Sequence, residues 1–162
     1  MTTVELRRLE QQLRTTFAGA AWHGPAVLEV LAGVTPEQAS ARPIPGAHTI
    51  WELVLHLGGA YRLVLRRLRG DPRPLSPEED WPAVPAVSLD TWHEALDALK
   101  ELNAEVRRAL ADFPAERLDE PLVSVSPYPA YAQFIGLTQH DLYHAGQIAL
   151  LKRALAHGNP VT

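Results

Sequence analysis

Residues 71–87, DPRPLSPEEDWPAVPAV, hold five prolines (Pro72, Pro74, Pro77, Pro82 and Pro85) in the middle of a chain whose flanks are patterned for helix. Proline has no backbone N–H and its ring clashes with the preceding turn, so this stretch reads as an extended crossover between two helices. On its N-terminal side, Val4, Leu6, Leu9, Leu13 and Phe17, then Val27, Leu28 and Leu31, recur at helical spacing. They predict one long helix over 3–32, kinked or restarted at Gly24–Pro25. A loop rich in Pro and Gly follows, from Thr35-Pro-Glu-Gln to Gly46. Thr49 and Glu52 form a capping box that opens a second helix through Ile50, Leu53, Val54, Leu57, Tyr61, Val64, Leu65 and Leu68, ending near Gly70.

Beyond the crossover, Ser88 is placed to cap a third helix through Trp92, Leu96, Leu99, Leu102, Val106 and Leu110, stopped at Pro114. A fourth runs from about Ala130 to Ala156 and closes at His157-Gly158. With no strand alternation beyond Val123–Val125, the expected fold is all-α, a four-helix bundle forming one domain over 1–162. A short loop would force the second and third helices antiparallel, whereas the long crossover permits up-down-down-up. A chain of 162 residues buries roughly two-thirds of its unfolded surface, so any metal would serve function rather than folding.

A net charge of -4 argues against a nucleic-acid partner. The charged N-terminus lacks a signal-peptide pattern, and no apolar run approaches the roughly 20 residues of a membrane span. The expected setting is cytoplasmic, with no membrane partner.

The chain has seven histidines and no cysteine, which removes thiolate nucleophiles and sulfur metal ligands. His140 and His144 stand at i and i+4, one turn apart on one helical face, so both imidazoles can reach one ion. A facing helix offers His56, which shares the apolar stripe of Leu53, Leu57 and Tyr61, with Gly58 and Gly59 beside it to permit close helix approach. Three neutral imidazoles suit a divalent transition metal and leave a coordination position free, as catalytic sites do. A core histidine bonded to a neighbour remains the alternative for each one alone. His23, His48, His93 and His157 have ordinary local explanations, the last at a negative helix end.

Asp141 lies about 100° round from His140 and is expected in a surface salt bridge, with help to a ligand histidine as the lesser option. Glu52 is explained by its cap, with a role beside His56 secondary. Arg62, Arg66, Arg67 and Arg69 crowd the end of the second helix, where cations suit the dipole and an anion-binding mouth could form. No nucleophile elbow, Walker loop or dinucleotide fingerprint is present, and no catalytic acid or base is identifiable.

Two segments, RPIPGAHTIWELVLHL (42–57) and HDLYHAGQIALLKR (140–153), resemble the loop, capped helix and closing His-x-x-x-His-x-Gly-Gln-Ile helix of the DinB-like (DinB/YfiT) superfamily. The resemblance implies a four-helix bundle, His56, His140 and His144 as metal ligands, a zinc, nickel or iron-type ion, and a homodimer. It also implies transfer reactions with low-molecular-weight thiols such as bacillithiol or mycothiol. Two readings follow. One is a metal-dependent thiol transferase or hydrolase acting on a small molecule. The other is a non-catalytic, stress-induced bundle that binds metal or a small ligand.

Overall fold

A computed structural model describes residues 3–157. Seven α-helices and one 3-10 turn (Ala115–Arg117) account for its regular structure: α1 (Thr3–Ala18), α2 (Val27–Leu31), α3 (Pro36–Ser40), α4 (Ile50–Leu68), α5 (Pro77–Asp80), α6 (Leu89–Ala111) and α7 (Ala130–His157). The four long ones, α1, α4, α6 and α7, make a four-helix bundle.

Three boundaries differ from expectation. The first helix ends at Ala18, because Gly19 (φ 125°) and Ala20 (φ 61°) turn the backbone left-handed several residues before Gly24–Pro25. Inside the loop that begins at Thr35, α3 forms a single capped turn: the Thr35 hydroxyl accepts from the Gln38 N–H and the Gln38 carboxamide accepts from the Thr35 N–H. The same device builds α5 within the crossover, where Ser76 and Glu79 cap each other and Pro77 takes the first helical position, the one place in a helix where proline costs nothing. The Thr49–Glu52 box and the Ser88 cap start α4 and α6 where the sequence places them. The Val123–Val125 run forms no strand; only an isolated bridge joins Pro121 to Pro129 nearby. The Gly158 stop signal lies outside the described residues.

Around the bundle, the long helices neighbour one another in the order α1, α6, α4, α7. Contacts along α4 and α6 advance in step: Trp51 meets Trp92, with ring centroids 5.0 Å apart, Tyr61 meets Asn103 at 2.9 Å, and Arg69 meets Glu105 at 2.5 Å. These two helices therefore run in the same direction, which the long crossover makes feasible. Against α7 the order reverses, since His56 near the start of α4 meets His140 whereas Arg67 near its end meets Gln133. Leu6, Leu9, Leu13 and Phe17 from α1, Leu53, Leu57 and Tyr61 from α4, Leu99, Val106 and Leu110 from α6, and Phe134 and Ile148 from α7 fill the core. Trp92 ties α6 to the segment after α2 by donating its indole N–H to the Val34 carbonyl at 3.0 Å. Among the described residues, no helix is long and apolar enough to cross a membrane.

Candidate metal centre

Because α4 and α7 run antiparallel through the core, His56 faces the same side-chain layer as the His140–His144 pair. The three imidazoles converge on one point: His140 Nε2 stands 3.0 Å from His56 Nε2 and 3.1 Å from His144 Nε2. Among the described residues, this trio is the group of histidine or carboxylate side chains arranged to hold an ion. Two nitrogens bound tetrahedrally to one zinc-like ion stand about 3.3 Å apart, so the observed spacing is within a few tenths of an ångström of a ligand set.

Protonation decides whether these contacts could instead be hydrogen bonds. His56 Nδ1 lies 2.9 Å from the Asp80 carbonyl oxygen, which can only accept, so Nδ1 carries the hydrogen and Nε2 presents a lone pair. His144 Nδ1 meets Gln147 Oε1 at 2.8 Å, which leaves its Nε2 a lone pair in the same way. One N–H from His140 cannot satisfy both, and its own Nδ1 is buried without a protein partner. Burial, reinforced by the charges of His144 and His56, pushes the His140 pKa down to about 4; burial likewise lowers that of His144, against the pull of Gln147. Both rings are thus neutral near pH 7, the form that binds a metal. Converging lone pairs repel one another unless a cation lies among them, so the donor set fits a divalent transition metal.

Trp81, from the crossover, stacks on His56 with centroids 3.9 Å apart and planes 3° from parallel. His48 packs on the other face of Trp81 at 3.7 Å. On the outer side, the exposed Tyr143 meets His144 edge to face.

The remaining sequence candidates fall into place around this centre. His23 and His93 are exposed and take no part, and no hydrogen bond or ion pair links Glu52 to His56. Instead the Glu52 carboxylate accepts the Thr49 N–H at 2.6 Å and pairs with Arg42 at 2.8 Å. His157 is the last described residue, at the end of α7. Arg66 pairs with Glu79, Arg69 with Glu105, and Arg67 donates to Gln133, so three of the four arginines are engaged within the protein. Arg62, Arg66 and Arg69 line a cavity of about 340 Å³ at the far end of α4.

Asp141 requires a correction. It is 1% exposed and accepts the Tyr61 hydroxyl at 2.6 Å, so it is a core residue and makes no surface salt bridge. The helix packs against α1, α2 and α4 at once, so its buried arc is wider than a single stripe and includes a position 100° from His140. Sequence reasoning also missed Asp80, Trp81 and Gln147. Gln147 had a signal, its i+3 spacing from His144; the other two sit in a proline-rich link without periodicity.

A family model described as the DinB superfamily matches residues 20–148, a span that includes all three converging histidines. No curated protein and no solved structure matches the chain.

Proposed function

The chain belongs to the DinB superfamily, and from that premise we propose that His56, His140 and His144 hold a divalent transition metal, zinc or nickel before iron, in a site that serves a thiol-dependent transfer or a hydrolysis. The observation that carries this reading is the convergence of three Nε2 atoms, two of them with the opposite ring nitrogen already donating to Asp80 or Gln147. When bound, such an ion would supply Lewis acidity, drawing down the pKa of a water or thiol beside it.

The chain's own residues supply the rest. Three imidazoles, without a fourth protein ligand among the described residues, leave the site open to an external molecule. Burial keeps His140 and His144 unprotonated at neutral pH, and Trp81 shields one face of His56. Since the chain has no cysteine, a reacting thiol would come from a small molecule.

Elemental analysis of protein purified without a histidine tag tests this directly. About one metal per chain, or its uptake on reconstitution, is expected; less than about 0.2 per chain with no uptake would overturn the reading. Loaded protein is then assayed for turnover of electrophiles with a panel of low-molecular-weight thiols. Full occupancy without turnover would assign the site to metal or small-ligand binding alone.

A further inference from the structure

We propose that residues 76–81 of the crossover form a positioning strap, in which Asp80 and Trp81 fix the tautomer and ring plane of His56 and Gly59 admits the strap to the surface of α4. The strap's purpose rests on the metal reading above; its geometry does not.

A neutral histidine on a helix has two freedoms that spoil it as a ligand: the hydrogen can sit on either nitrogen, and the ring can turn about its last torsion. Both are removed at His56. The Asp80 carbonyl oxygen, 2.9 Å from Nδ1, is an acceptor only, and the Asp80 carboxylate stands 3.1 Å from the same nitrogen. Together they demand a hydrogen on Nδ1, so in the neutral ring the lone pair is on Nε2. Of the other two histidines, His144 has the Gln147 carboxamide oxygen 2.8 Å from Nδ1, and His140 Nδ1 has no protein partner. Trp81 removes the second freedom by lying flat against the ring, while His48 backs the far face of the indole. His48, which the sequence leaves as a bystander, is the outer leaf of this stack.

The strap is anchored to the helix it serves. Glu79, locked into the Ser76 cap, pairs with Arg66, and Arg66 also donates to the Pro74 carbonyl at 3.0 Å. Its approach depends on a missing side chain. A Cβ at position 59 would stand 3.0 Å from the Glu79 carbonyl oxygen, a backbone atom that yields only if the strap moves, and in ordinary contact, 3.5 Å, with that of Asp80. Glycine inside a helix is otherwise unfavourable. A Cβ at position 58 would instead meet the flexible Arg62 guanidinium at 3.2 Å and Leu102 of α6 at 3.4 Å, so of the two glycines only Gly58 lies against another long helix.

Long-range nitrogen–proton NMR on the metal-free protein at neutral pH reads the His56 tautomer without any dependence on metal. A single Nδ1–H form is expected in the wild type. Trp81→Ala and Gly59→Ala are expected to give mixed tautomers and to weaken zinc binding by about 10- to 100-fold, the usual cost of losing a ligand's outer partner. Trp81→Phe, which keeps a flat apolar face, should restore both. Gly59→Ala favours helix, so α4 persists in that variant. An Nε2–H or mixed wild type, or variants unchanged in both tautomer and zinc affinity, would overturn the strap. A pure Nδ1–H wild type that takes up no zinc would support the strap while removing the metal reading.

Discussion

Helices α4 and α7 carry two polar clusters, one buried and one partly buried, at neighbouring levels of the same interface and built on opposite rules. Around Tyr61 every donor meets an acceptor: Asn103 donates to the phenol oxygen at 2.9 Å, and the hydroxyl donates to Asp141 at 2.6 Å. Around His56, three Nε2 atoms converge, 3.0 and 3.1 Å apart, with at most one hydrogen from neutral His140 among them. Buried polar groups that complete one another specify packing, whereas buried groups of like character facing one another are incomplete without a ligand. The difference separates a structural network from a candidate binding site although both lie in one core, on adjacent residues of α7.

The largest effect that could break this contrast is on metal affinity. His144→Ala should lower zinc affinity by more than the roughly 100-fold typical of outer-partner loss. Zinc should raise the melting temperature of the wild type and not that of the variant, as calorimetry with and without metal would show. A variant that still gained stability from zinc would place the ion elsewhere.

The next effect concerns Asp141. Burial, opposed by the Tyr61 hydrogen bond, pushes its carboxyl up to about 7 from an ordinary 3.8. A raised carboxyl favours the protonated native state, so its contribution is full below about pH 4 and is lost as pH rises to about 7, on the order of 4 kcal/mol. Asp141→Asn keeps the acceptor for Tyr61 and removes the titration. Relative to wild type, the variant should gain stability between pH 4 and 7 and stay ahead at pH 8, measured by urea unfolding across that range. A pH-independent difference would show Asp141 to be charged in the folded state.

The smallest effect sharpens the comparison from the structural side. Tyr61→Phe strands Asn103 and Asp141 without their shared hydroxyl and should cost about 1–3 kcal/mol, with zinc stoichiometry unchanged. Loss of zinc in this variant would merge the two clusters into one functional unit.

Much of this was legible in the chain. His140 and His144 are one turn apart, and His56 lies on an apolar stripe, so helical periodicity alone turns all three toward a common core. The caps at Thr49 and Ser88 act within a few residues, and they set the starts of α4 and α6 as read. The capping boxes at Thr35–Gln38 and Ser76–Glu79 were equally local, yet each opens a helix too short to show a period. Asp141 was misplaced for another reason. Its burial depends on how many neighbours surround α7, and no spacing within one helix encodes that number.

By itself the sequence determined an all-helical chain with three inward histidines, because helix periodicity, capping and the proline crossover are local physics. The tertiary structure alone decided that the Nε2 atoms of all three would meet, that Asp141 would answer Tyr61, and that the crossover would fold back so that Asp80 and Trp81 touch His56. Apart from the one-turn His140–His144 pair, each of these joins residues 24 to 88 positions apart, and such pairings come from the directions and spacing of packed helices.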